Sequence, residues 1–153
     1  MTLDMAETLG EIFTEALMEV VAKVAGIGAE VVSADRDAAL DSRAAFIRMN
    51  GAHGGMLLLS AEDDGIRGLC SYMEGIPESE VTREDMDDVL CELANMTAGI
   101  AELRLSGTEY RFTLSSPFVI TGEGMTVTTK KRTEVISRTL GGEHMLIKLK
   151  VII

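Results

Sequence analysis

Residues 3 to 25 place Leu9, Ile12, Phe13, Val20 and Val24 at three- and four-residue intervals. That period is met by an α-helix with one apolar face, so a long helix must lie on a partner surface, and Gly26-Ile27-Gly28 stops it. At the other end of the chain the period changes to two: Met145, Ile147, Leu149 and Val151 alternate with Lys148 and Lys150, as in a strand with one buried face. Helices that need a surface and strands that need a cover predict an α+β fold, with two long helices and a short one on a mostly antiparallel sheet. At 153 residues one core suffices, so residues 1–153 are expected to form one domain.

The segments between agree with this reading. Glu30-Val31-Val32-Ser33 reads as a strand, followed by a charged loop through Asp35, Arg36 and Asp37. Ala44 to Asn50 and Gly55 to Ser60 read as a hairpin, with Asn50-Gly51 and Gly54-Gly55 in its turn. Met56-Leu57-Leu58-Leu59 does not alternate, which predicts a strand covered on both faces. Ser60 is expected to cap a short helix, with Asp63 three residues on and Gly75 past its end, and Ile76-Pro77 to begin a connector. Thr82 with Asp85 opens a long helix running to about Leu105.

After Ser106-Gly107, Tyr110, Phe112 and Leu114 alternate as a strand would, and Pro117, Gly122 and Gly124 punctuate the stretch beyond them. Thr126 to Leu140 is expected to turn at Gly141-Gly142 into the last strand. Met145 to Ile153 then reads as an uncovered sheet edge, which predicts a homodimer through sheet edges; Lys148 and Lys150 argue against that particular strand.

Fourteen basic residues against twenty-five acidic ones leave a net charge of −11. Such a surface repels phosphate backbones and anionic headgroups, so neither nucleic acid nor membrane is an expected partner. No apolar run approaches the roughly 20 residues of a membrane span, Lys23 and Glu30 interrupting the best candidate. Met1 to Glu11 carries three acids and no Lys or Arg, which predicts no export signal and a cytoplasmic location. Cys70 and Cys91 form no C-x-x-C pair and are expected as reduced core residues.

His53 and His144 sit in glycine-rich turns without a third ligand, a poor basis for zinc. Glu84, Asp85, Asp87, Asp88 and Glu92 spread around their helix near its N-terminus, where the dipole favours acids, so no metal site is predicted. No P-loop, G-x-G-x-x-G or Ser/His/Asp order is present. Lys130-Lys131-Arg132 reads as a solvated strand end.

The most informative segment is Asp88 to Gly99. Met86, Val89, Leu90, Leu93, Met96 and Ile100 gather on one side of a helix, while Asp88, Glu92, Asn95 and Gly99 fall at i, i+4, i+7 and i+11 on a separate ridge. Asn and Gly are poor mid-helix residues, Gly by about 1 kcal/mol relative to Ala. Gly99 leaves a flat spot beside Asn95 where another surface can approach.

Asp/Ser-x-x-x-Glu-x-x-Asn on a helix, with a proline some twenty residues later, resembles the signature of the CheC/CheX chemotaxis phosphatases. Asp88, Glu92 and Asn95 match it, and Pro117 follows after 21 intervening residues, one fewer than the family's usual spacing. The flanks Asn95-Met96-Thr97-Ala98-Gly99 and Ser116-Pro117-Phe118-Val119-Ile120-Thr121-Gly122 are similar as well. One copy of the motif, rather than the two of CheC-type members, makes CheX the nearer resemblance.

The resemblance implies a phosphatase acting on the phospho-aspartate of a CheY-type response regulator, as a homodimer with no cofactor of its own and with Mg²⁺ supplied by the regulator. It implies Glu92 and Asn95 as catalytic residues and Asp88, Gly99 and Pro117 as partner-binding ones. An acyl phosphate is already reactive, so positioning and electrostatics suffice. The Asn95 amide, with donor and acceptor together, suits the alignment of a water, and Glu92 suits a charge pair with the regulator's lysine. A non-catalytic adaptor that binds receiver domains through the same helix is the alternative; it has no need of a water-orienting amide.

Overall fold

The Thr2 hydroxyl accepts the Met5 N–H at the start of α1 (Leu3–Ala25), and Gly26, at φ 64°, ends it in a left-handed turn. The computed structural model describes residues 2–35, 39–131 and 133–153. After α1 come β1 (Glu30–Ser33), β2 (Arg43–Asn50), β3 (Gly55–Ala61), α2 (Asp63–Glu74), a single 3₁₀ turn at Glu78–Glu80 and α3 (Arg83–Leu105). The chain finishes with β4 (Thr113–Leu114), β5 (Phe118–Thr121), β6 (Val135–Gly142) and β7 (Met145–Ile152).

Among the described residues the strands form one open sheet in the order β1-β6-β7-β3-β2-β4, with β5 also on β2, and every pairing is antiparallel. All three helices cover one face of it. The expected α+β architecture is the observed one. Ala45, Ile47 and Met49 of β2, Leu57 and Leu59 of β3, and the alternate apolar residues of β7 bury against Phe13, Leu17, Leu90 and Leu93 of the helices. Leu58 points the other way, into a small cluster with Leu40 and Ala44. That cluster is why β3 shows no alternation, since both of its faces are covered.

Several expected boundaries move. Ser60 lies within β3 and caps nothing: its Oγ accepts the Asp41 N–H, and Glu62 precedes α2 without a side-chain cap. The last hairpin turns at Glu143-His144, with His144 at φ 58°. Gly141 and Gly142 are strand residues, and a Cβ on Gly142 would stand 2.6 Å from Ile27 Cγ2. Close neighbours require glycine at both: Ile27, before β1, at Gly142, and Val32, within β1, at Gly141, where a Cβ would stand 3.2 Å from Val32 Cγ1. β6 begins at Val135 rather than near Thr126: Val135 faces Ile152, the last residue of β7, and one further pair of main-chain bonds, between Glu134 and Ile153, closes the ladder.

β7 is an interior strand between β6 and β3, and Lys150 is buried there, which overturns the reading of Met145–Ile153 as an open edge. The edges are β1 on one side and β4 with β5 on the other. The charged loop falls partly on Arg36 and Asp37 and the basic patch partly on Arg132; these lie outside the described residues. Cys70 is buried, Cys91 is partly buried, and both are free thiols.

Candidate functional site

α3 begins in a reciprocal cap: the Thr82 N–H donates to Asp85 Oδ2 at 2.7 Å, and the Asp85 N–H donates to the Thr82 hydroxyl at 3.2 Å. Hydrogen bonding to the carboxyl, from the Thr82 N–H first and from the Thr82 side chain second, holds Asp85 below its ordinary range. From that start Met86, Val89, Leu90, Leu93, Ala94, Thr97, Ala98 and Ala101 are buried in succession. Helical spacing then sends Asp88, Glu92 and Asn95 outward, and all three are exposed.

A buried guanidinium fixes the N-terminal half of this helix. Arg43, on β2 and only 4% exposed, pairs with Asp87 of α3 and, at 3.3 Å, with Asp63 at the start of α2. One cation thereby ties the sheet to both helices beside the outward ridge. Arg43 is the buried member and its two acids are partly exposed, so loss of either acid leaves the guanidinium paired with the other, whereas loss of both would strand a buried charge.

The opposite wall comes from the sheet edge. β4 pairs Leu114 with Met49, and β5 pairs Phe118 with Phe46, so Ser115, Ser116 and Pro117 stand opposite only Ile47 and Arg48. The edge strand carries one residue too many for its partner, a β-bulge. Sequence reading expected a strand through Tyr110, Phe112 and Leu114; the structure has two short strands on either side of this bulge, and β5 went unread. Tyr110 instead stacks on His53 and Phe112 on Phe13.

Between ridge and bulge lies an open groove of about 620 Å³, lined by Asp88, Cys91, Glu92 and Asn95 on one side and by Leu114, Ser115, Ser116 and Pro117 on the other. Four of the five motif residues thus meet in one place. Gly99 does not line it; a Cβ there would meet nothing within 4 Å. The groove residues that sequence reasoning missed are Cys91, Leu114, Ser115 and Ser116. The signal for the last two was the Ser-Ser pair directly before Pro117, in a segment where alternation fails.

Among the described residues, the side chains of Asp88, Glu92 and Asn95 have no hydrogen-bond or ion-pair partner, so their polar atoms face the groove uncommitted. Burial, with help from the Asp87 and Asp88 carboxylates, pushes the Cys91 thiol up and keeps it protonated. The described residues contain no group of three or more His, Cys, Asp or Glu able to hold a metal ion. Nor does any described helix have the length and apolarity to cross a membrane. Chemically the site offers an amide, two carboxylates and hydroxyl donors on a rigid frame, a set that positions rather than attacks.

The family model for the chemotaxis phosphatase CheX matches residues 43–140, well over half of the chain. No curated protein sequence matches. Among solved structures, a CheC-like superfamily protein from Shewanella sp. PV-4 superposes with a TM-score of 0.82 at 22% identity, over 99% of this chain and 98% of that one. A chemotaxis protein CheX from Desulfovibrio desulfuricans gives 0.79 at 20% identity, over 95% and 99%. A CheX from Borrelia burgdorferi, solved in complex with CheY, BeF₃ and Mg²⁺, gives 0.79 at 17% identity, over 93% and 95%. Likeness at these identities shows a shared fold.

Proposed function

This chain belongs to the CheX chemotaxis phosphatase family, and from that premise we propose that it hydrolyses the phospho-aspartate of a CheY-type response regulator. The observation that carries the reading is the pairing of Glu92 and Asn95, both exposed and uncommitted, on the wall of one groove with Pro117 opposite. Asn95 orients a water in line with the phosphorus through its amide oxygen and nitrogen. Water adds to phosphorus, the bond from phosphorus to the aspartyl oxygen breaks, and inorganic phosphate and the free carboxylate leave. Glu92, one turn earlier on the helix, pairs with the lysine beside the regulator's phosphorylated side chain and sets the docking register. Asp88 and Pro117 line the same groove and meet the partner's surface. The Mg²⁺ that offsets the phosphoryl charge arrives with the regulator.

The Borrelia protein, solved as a CheX–CheY complex, supports a receiver as partner. The acidic balance of the chain, −11 overall, makes a purely electrostatic attraction to a phosphorylated surface untenable and favours local donors and a lysine contact instead. A homodimer is part of this reading, paired along β1. That edge exposes Val31 and Val32, whereas a partner strand on β5 would crowd Pro117 and the groove.

The deciding experiment is loss of acyl phosphate from a panel of the organism's receiver domains, with and without the protein. Accelerated loss from at least one receiver is expected. Tight binding with no acceleration would replace the enzyme by an adaptor.

A further inference from the structure

The groove poses an electrostatic problem that Asn95 alone does not solve. Its helical wall presents the carboxylates of Asp88 and Glu92, and an incoming phosphorylated loop brings further negative charge and many oxygen acceptors. Donors on the facing wall are needed to hold such a loop in register. On that wall Pro117 has no N–H to give. Ser115 is committed: its N–H donates to the Arg48 carbonyl at 3.0 Å, and its Oγ accepts the Arg48 N–H at 3.0 Å.

Ser116 stands between them, exposed, at the crest of the bulge and on the groove. Among the described residues neither its N–H nor its hydroxyl has a hydrogen-bond partner. The bulge supplies the reason: an extra residue in one strand is the one left out of the ladder. Proline after it favours extended backbone at Ser116, which restricts the direction of its N–H, while the hydroxyl turns to suit a partner.

We infer that Ser116 is a specificity-determining residue, donating from its N–H and hydroxyl to oxygen acceptors on the partner loop that carries the phosphorylated side chain. The inference rests on the phosphatase reading and adds a contact to the same site. It assigns Ser116 to recognition and leaves water alignment with Asn95.

The test uses the full chain, a receiver charged with a small acyl-phosphate donor, and both binding and single-site turnover measurements. Ser116→Ala is expected to raise Kd and KM about five- to tenfold, the value of one hydrogen bond, with kcat within about twofold of wild type. Ser116→Thr, which keeps the hydroxyl, restores most of the affinity. Asn95→Ala shows the converse split, losing kcat while Kd holds. Unchanged Kd and KM in Ser116→Ala, with the wild type active, overturns the inference and leaves the phosphatase reading standing. A fall in kcat alone, shared by Ser116→Ala and Ser116→Thr, also overturns it. A wild type that binds but does not turn over removes the phosphatase reading, while Kd still judges Ser116; a wild type that does neither removes both.

Discussion

Ser115 clasps the main chain of Arg48 at both ends, donating its N–H to the Arg48 carbonyl and accepting the Arg48 N–H on its hydroxyl, each at 3.0 Å. The side chain substitutes for a ladder bond that the bulge removes, which is how a kinked edge strand stays attached to β2. Ser115→Ala is therefore expected to cost about 1 kcal/mol of stability. It should also lower turnover, since the wall carrying Ser116 and Pro117 loosens. Ser115→Thr should recover both, as read by denaturant melts alongside acyl-phosphate assays. A variant as active and stable as wild type would show the clasp to be dispensable.

Asn95→Ala should leave the fold untouched, because its neighbours Leu93, Ala94, Thr97 and Ala98 carry the packing. A stability change of at most about 0.5 kcal/mol is expected. Receiver dephosphorylation should fall by roughly 100-fold or more, positioning being the main contribution available. Turnover at the wild-type rate would remove Asn95 from the water.

Glu92→Ala is expected to act on docking, weakening the complex with the phosphorylated receiver by about 1–3 kcal/mol. Calorimetric titration at two salt concentrations would read it: the wild-type affinity should fall with salt more steeply than the variant's. Equal affinities at low salt would exclude the lysine pair.

Much of this was legible beforehand, and the misses share a cause. Elements specified by their own residues read correctly: α1 by its stripe, α3 by its cap, the β2–β3 hairpin by its turn. The Asp88–Glu92–Asn95 ridge needed only helical geometry. What failed were features specified by a distant neighbour. Gly141 and Gly142 look like a turn until their close neighbours Val32 and Ile27 are known. Ser60 looks like a cap until Asp41 reaches it. β5 and the bulge exist only because β2 offers its edge, so no local period announces them. The interior position of β7 is likewise a matter of topology; its lysines had pointed away from an open edge, but only the strand order reveals β6 and β3 on either side.

Burial pushes the Cys70 thiol up to about 12, and the carboxylates of Glu74 and Asp85 add to the effect. An ordinary thiol ionises near 9.0. The folded chain therefore holds this proton more tightly than the unfolded one, and the resulting stability is present below pH 9 and lost as pH rises toward 12. Denaturation at pH 8, 9 and 10 should show wild type losing stability faster than Cys70→Ala. Parallel losses would remove Cys70 as the cause.

Gel filtration with light scattering should give a mass near twice the 16.5 kDa of the chain. Val32→Glu, placing like charges on paired β1 edges, should return the monomer with turnover intact. A wild-type mass near 16.5 kDa would dispose of the dimer, and an unchanged dimer in the variant would move the contact away from β1.

The pairings of Leu114 with Met49 and Phe118 with Phe46 anchor Pro117 to β2 and not to α3. The connection from Ser106 to Arg111 lies outside both elements and outside that register, though Tyr110 stacks there on His53. A residue gained or lost there would disturb the Tyr110 stack but leave the pairing of β5 unchanged, whereas one gained or lost among Ser115, Ser116 and Pro117 would turn every later side chain of β5 to the opposite face. The position of Pro117 in the groove is thus set by its pairing with β2 rather than by the 21 residues that separate it from Asn95. A chain with another count in the connection and the same β2 pairing would build the same groove, so a rigid interval is a poor signature for it.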